Sequence, residues 1–211
     1  MAAHETRRWP AVFPLTSTTC PGYLLWCPRR SRRTLFDATM NDDSEFDGFA
    51  ENMSPAGDSR GAEHLPFMQQ ALHQADAAAA LGEVPIGAVV VRDGHIVSMA
   101  HNRRELDSDP AGHAELIAMR EAARVLGDWR LEGCTVYVTL EPCPMCAGAM
   151  VLARIDRCVY GCTDPKGGFL GTLADLSAFP GLNHRFEVVG GVLAEPSSAK
   201  LKSFFRALRS R

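Results

Sequence analysis

The sequence predicts an α/β domain, and three observations predict it. From Leu65 onward, segments with helical apolar spacing alternate with short β-branched runs, as in layered strands and helices. Asp93-Gly94 separates two such runs, which marks an antiparallel hairpin. The last two strand-like runs are separated by residues 162–185. A hairpin needs only a few residues, and this interval is long enough for a parallel crossover.

The elements follow in order. Leu65, Met68, Leu72, Ala75 and Ala79 recur at helical spacing, with Pro66 in the first turn and Gly82 past the end, where each residue type suits a helix terminus. Val84 to Arg92 and Ile96 to Ala100 read as the two hairpin strands, and Gly87 as a point of close backbone approach. Ala114 to Leu126 reads as a helix, Thr135 to Leu140 as a strand and Cys143 to Leu152 as a helix. Arg157 to Gly161 and Phe186 to Leu193 read as strands expected to run parallel. A final helix is expected after Pro196, with Leu201, Phe204, Phe205 and Leu208 as its apolar stripe.

The chain has 211 residues, 46% of them hydrophobic, enough for one compact domain and an extension. Residues 1–60 form that extension, and residues 61–211 the domain. Residues 1–36 hold six arginines and one acid, Glu5, and residues 37–58 hold seven acids and no base. Neither stretch has a sustained period, so a disordered tail is expected. The arginine-rich start is open to two readings: an organellar transit peptide, or a start assigned upstream of a true beginning at Met40 or Met53. The seven cysteines are an odd number, and nothing reads as a secretory signal. Reduced thiols and a cytoplasmic location are expected, with an organelle as the alternative. No apolar run reaches the length of a membrane span.

The chemistry concentrates in His113-Ala114-Glu115 and Pro142-Cys143-Pro144-Met145-Cys146. One imidazole and two thiols at C-x-x-C spacing supply three ligands for one tetrahedral zinc, leaving a fourth position for water. Cys143 and Cys146, three apart at a helix start, share one face, and the positive helix end favours thiolate. Zinc lowers the pKa of its water from 15.7 to about 7, roughly 12 kcal/mol in favour of hydroxide. Glu115 is then placed to carry protons from that water to a departing amine. The competing arrangement is a closed structural site whose fourth ligand would be Cys134, Cys158, Cys162 or His101.

These residues resemble the H-x-E…P-C-x-x-C signature of the zinc-dependent nucleobase deaminases. Over Leu65 to Arg209 the chain looks most like the tRNA-specific adenosine deaminases. The matching stretches include Val84 to Val90, His101-Asn102-Arg103, Asp109 to Glu115, Thr139 to Met150, Asn183-His184-Arg185 and Ser203 to Arg206. The resemblance implies a three-layer α-β-α sandwich around a five-stranded mixed sheet, of the cytidine-deaminase type, usually as a homodimer. It implies hydrolysis of adenosine to inosine at the wobble position of a tRNA anticodon, with one zinc per subunit. It assigns zinc to His113, Cys143 and Cys146, and proton transfer to Glu115. Asn102 would contact the base in its pocket. Asp164 and Lys166 would meet the nucleotide's sugar or backbone. Phe204 and Arg206 would approach the anticodon stem-loop. Residues 1–60 have no counterpart in the pattern.

Blander readings stand beside these. Asn102 could simply close a strand, Asp164 and Lys166 could belong to an ordinary polar loop, and Phe204 and Phe205 could be core. The basic run Lys200, Lys202, Arg206, Arg209 and Arg211 suits either a solvated face or RNA phosphates. His184 receives no catalytic role. The alternative functions are a deaminase of free guanine or cytosine, and a non-catalytic RNA-binding subunit with structural zinc.

Overall fold

The computed structural model describes residues 59–210. The extension expected over residues 1–60 falls almost wholly outside these residues, as do its alternatives and Arg211. A 3-10 turn, Ser59–His64, leads into α1, Leu65–Ala80. The other elements are β1, Gly87–Arg92; β2, His95–His101; α2, Arg104–Asp107; α3, Ala114–Leu126; β3, Cys134–Leu140; α4, Pro144–Ala153; β4, Arg157–Cys162; β5, Glu187–Val189; and α5, Ala194–Arg209.

The five strands form one mixed sheet in the order β2-β1-β3-β4-β5. β1 is antiparallel to both β2 and β3, while β3, β4 and β5 run parallel. The predicted hairpin and the predicted parallel pair are both present. Asp93 and Gly94 each have positive φ, 50° and 74°, the geometry an Asp-Gly hairpin turn requires.

Helices cover both faces of the sheet, making three layers. Met68 and Ala71 of α1 pack on Val89, Val91, Tyr137 and Val159. The alternate strand residues, Ala88, Val90, Val136, Val138 and Cys158, face Ala118 and Ala122 of α3 and Met150 and Val151 of α4. Burial on both faces explains the unbroken apolar run in β1. Gly87 lies against the backbone of α1: a Cβ there would come within 2.6 Å of Ala75 N and still closer to Ala71 O. Only glycine permits that approach.

Several boundaries differ from expectation for local reasons. β1 begins at Gly87 rather than Val84 because Pro85 has no N–H for the ladder and Ile86 N bonds back to Val84 O at 2.8 Å. β5 is three residues long because the chain turns at Gly190-Gly191, where Gly191 has φ 88°. Gly191 N and Val192 N then bond Gly161 O and Tyr160 O. α5 starts at Ala194, upstream of Pro196. Proline fits that first turn because those N–H groups have no intrahelical acceptor. Within α1, Ala78 is buried and Ala79 exposed, the reverse of the expected stripe. The short α2 has too few residues for a periodic signal.

Candidate functional site

His113 and Cys143 are the N-cap residues of α3 and α4, both with extended backbone. Both ligand segments therefore lie at the loop-to-helix junctions predicted for them. β3 carries the chain to Pro142-Cys143, and Pro144 opens α4, where its missing N–H costs no helix bond. On the other side, Asp109 Oδ1 accepts from Ala111 N at 2.8 Å, and Gly112 N donates to Asp109 O at 3.0 Å. That tight turn delivers His113. Arg103 N donates to Gly112 O at 2.9 Å, which fastens the end of β2, with Asn102, beside the His113 loop.

The ligand atoms of His113, Cys143 and Cys146 lie within 4.8 Å of one another. His113 Nδ1 is 3.6 Å from Cys143 Sγ and 3.5 Å from Cys146 Sγ. Bonds of about 2.0 Å to nitrogen and about 2.3 Å to sulfur, at a tetrahedral angle, place those atoms about 3.5 Å apart. The spacing therefore fits one zinc-sized ion. The closed arrangement is not what the described residues form. Cys134, Cys158 and Cys162 are buried in strands β3 and β4, and His101 Nδ1 pairs with Asn102 O at 2.9 Å. None joins the three-residue cluster.

The electrostatics suit a cation. A hydrogen bond from Cys146, followed by one from His113, holds the Cys143 thiol down at about 4, although burial opposes this. The adjoining Cys143 sulfur, then burial, pushes Cys146 strongly upward. Two sulfurs here compete for one proton, and a dication relieves that competition. The hydrogen bond with Cys143 raises the His113 imidazole.

Glu115, on the first turn of α3, is 4% exposed. Burial raises its carboxyl, its own backbone N–H and His113 pull the other way, and of the two sulfurs Cys143 raises it and Cys146 lowers it. A carboxyl so placed beside a cation site can both take and return a proton.

Asn102 is buried, and its Nδ2 donates to Glu83 Oε2 at 2.9 Å. Glu83 Oε1 accepts from Leu106 N at 2.6 Å. Glu83 carries no motif, and sequence reasoning missed it; a lone acid just after a helix gives no signal for a partner 19 residues away. Because a carboxylate only accepts, the contact fixes which end of the Asn102 amide is nitrogen.

Asp164 and Lys166 lie in the loop after β4. Lys166 N donates to Asp164 Oδ1 at 2.9 Å, and Asp164 N donates to the buried Glu141. Phe204 and Arg206 are on the C-terminal half of α5, in the layer opposite α3 and α4. Phe204 is half-buried and meets Phe205 edge-on with centroids 5.4 Å apart, while Arg206 is exposed. Lys200 pairs with Asp76 of α1, so one cation of the terminal run serves helix packing. His184 Nε2 donates to Ile155 O at 2.7 Å, and Asn183 Oδ1 accepts from Arg154 Nη1 at 2.8 Å. Both therefore tie the loop before β5 to the turn between α4 and β4.

A family model described as MafB19-like deaminase matches residues 62–209. The chain is 52% identical over 145 residues to a tRNA-specific adenosine deaminase of Bacillus subtilis, covering 69% of this chain and 90% of that one. It is 47% identical over 144 residues to a tRNA-specific adenosine deaminase of Haemophilus influenzae, covering 68% and 83%. It is also similar to a structure solved in a study of A-to-I editing by tRNA:A34 deaminases at the wobble position of transfer RNA. There the identity is 42% and the TM-score 0.63, over 64% of this chain and 99% of that one.

Proposed function

The chain belongs to the MafB19-like deaminase family and, within it, to the tRNA-specific adenosine deaminases, and from that premise we propose how its residues act. The protein hydrolyses adenosine to inosine at the wobble position of a tRNA anticodon, releasing ammonia. The observation that carries the residue assignments is the cluster of His113, Cys143 and Cys146 with ligand atoms within 4.8 Å of one another, beside the buried acid Glu115.

His113 Nδ1 and the Cys143 and Cys146 sulfurs hold one zinc ion per subunit. Zinc, when bound, supplies a Lewis acid that makes water a nucleophile near neutral pH. Glu115 takes one proton from the attacking water and passes it to N1 of the purine ring. It then takes the second proton from the new hydroxyl on C6 and delivers it to the amine, which leaves as ammonia. Asn102 hydrogen-bonds the base edge, with its amide held by Glu83. Asp164 and Lys166 contact the nucleotide's sugar or backbone, and Phe204 and Arg206 approach the anticodon stem-loop. An unpaired anticodon base is drawn into such a pocket at less cost than a paired one.

The functional unit is a homodimer. Its support is the outer face of α4, where Met145, Gly148, Ala149 and Leu152 form an apolar stripe at helical spacing. Met145 is 39% exposed and Leu152 68%. A Cβ at Gly148 meets nothing within 4 Å among the described residues, so packing among those residues gives no reason for glycine there. A small residue in an exposed apolar stripe admits close approach by a second copy.

Residues 61–211 constitute the deaminase domain, and residues 1–60 are an extension outside it. The protein acts in the cytoplasm. Cys134, Cys143, Cys146, Cys158 and Cys162 are free thiols, which suits a reducing compartment, and no described helix is long and apolar enough to cross a membrane.

The test incubates the full chain, loaded with zinc, with a tRNA bearing adenosine at the wobble position. Nucleoside analysis should find inosine there. Ammonia release from free guanine or cytosine, without inosine in the tRNA, would refute the assignment.

A further inference from the structure

Glu141 directly follows β3 and stands directly before Pro142-Cys143, and neither the metal nor the proton chemistry uses it. Its side chain is 2% exposed. Oε1 accepts from Leu170 N at 3.1 Å and Thr172 N at 3.0 Å. Oε2 accepts from Asp164 N at 3.1 Å and from the Thr172 hydroxyl. Three of these four donors are backbone N–H groups of one loop.

The same loop is fitted to this carboxylate in a second way. A Cβ at Gly168 would overlap the Glu141 carboxyl group and come within 2.7 Å of Asp164 O. Phe169 N donates to Pro142 O at 2.9 Å. The segment that carries Cys143 is therefore bonded through Glu141 and Pro142 to the loop that carries Asp164 and Lys166.

We propose that Glu141 is a positioning residue for the RNA substrate: its buried carboxylate fixes the 164–172 loop, and with it Asp164 and Lys166, relative to the metal-ligating segment. This rests on the reading that Asp164 and Lys166 contact the nucleotide.

The donor geometry makes the consequence of one substitution specific. Glu141→Gln keeps the shape but turns one acceptor into a donor. An amide nitrogen at the Oε1 position would face two backbone N–H groups, neither of which can reverse. At the Oε2 position it would face the Thr172 hydroxyl, which can turn and accept, and Asp164 N–H, which cannot. The glutamine therefore settles with its nitrogen on the Oε2 side. Leu170 and Thr172 stay held, and Asp164 is released.

The experiment compares full-length wild-type and Glu141→Gln protein by amide hydrogen exchange, zinc content and steady-state deamination of a tRNA with adenosine at the wobble position. The expected result is exchange about ten-fold faster at the Asp164 amide, with Leu170 nearly unchanged. KM should rise about ten-fold while kcat stays within about three-fold. Zinc content should be the same in both proteins. Unchanged exchange at Asp164 overturns the proposal. So does faster exchange with KM unaltered, because the loop is then held without presenting substrate. If Glu141→Gln does not fold, Thr172→Val, which removes only the hydroxyl contact, carries the test. A two- to three-fold rise in KM with faster exchange at the Thr172 amide is then expected, and no change in either overturns the proposal. Absence of inosine from the wild-type chain would overturn the functional reading and the substrate half of this one. The exchange measurement would still decide whether Glu141 holds the loop.

Discussion

Asn102 and Glu83 make a pair in which one side chain fixes the orientation of the other. The carboxylate receives Asn102 Nδ2 and Leu106 N, so the amide has one orientation. Glu83→Gln lets the amide turn over, because a glutamine can offer a nitrogen where the carboxylate offered oxygen. The variant should fold, keep its zinc and lose about ten- to a hundred-fold in kcat/KM for tRNA. Steady-state kinetics checks this, and wild-type kcat/KM would contradict the positioning role. At this scale the sequence was legible where a motif is contiguous: His113, Glu115, Cys143 and Cys146 stand in two short stretches, and the structure brings the side chains of His113, Cys143 and Cys146 together in a cluster that could hold a metal ion. Glu83 and the role of Glu141 were not legible. Their partners lie 19 to 31 residues away, and only the fold makes them neighbours.

At the scale of elements, glycine marks where helix and sheet touch. α1 rests on β1 at Gly87 and α5 on β4 at Gly161, where a Cβ would overlap Ser197 Oγ and Thr139 O. Gly87→Ala forces a methyl into the backbone of α1 and should cost about 3 kcal/mol, read as a lower urea midpoint at unchanged slope. On α4, a charge in the exposed apolar stripe opposes self-association. Leu152→Glu should shift sedimentation from dimer toward monomer, and an unaltered dimer would place the interface elsewhere. Element type could be read along the described chain because apolar periodicity is a local property. Ends could not be read so well. β5 stops early because Gly190 fits against the Tyr160 ring and Gly191 turns the chain, and both are tertiary facts. Pro196 looked like a boundary, yet the first helical turn accommodates it.

For the whole molecule, one buried pair is among the groups through which pH acts on stability. His64 Nδ1 is 3.0 Å from the Tyr137 hydroxyl. Burial is the main cause that lowers the His64 imidazole, and burial pushes the Tyr137 phenol up to about 12. An unfolded imidazole takes up its proton near pH 6.5, whereas the folded one resists. The unfolded state therefore binds more protons as pH falls below about 6.5, and stability drops. Above pH 10 the unfolded phenol ionises while the folded one keeps its proton until about 12, so stability falls there too. Urea titrations should show His64→Gln flattening the acid limb and Tyr137→Phe the alkaline limb. A matching slope in wild type and variant would contradict the assignment. Metal adds a further term, since an ion that binds only the folded chain stabilises it by about 2.7 kcal/mol at a hundred-fold excess over Kd. Chelation should lower Tm accordingly, and zinc should restore it. The α/β class and the parallel crossover were legible because they follow from alternation and connection length, whereas the three layers were expected only from the family resemblance. The mixed sheet's strand order was not, since it depends on which strand ends meet across the core.

The most direct test is made on the full chain as wild type and as Glu115→Gln, with zinc content and wobble inosine measured in the same samples. Near-equal zinc in both is expected, together with inosine from the wild type and a loss of about 10²–10⁴-fold in rate in the variant. Full activity in the variant, or loss of its zinc along with its activity, would contradict the claim that three side chains grip the ion while the neighbouring carboxyl moves the proton.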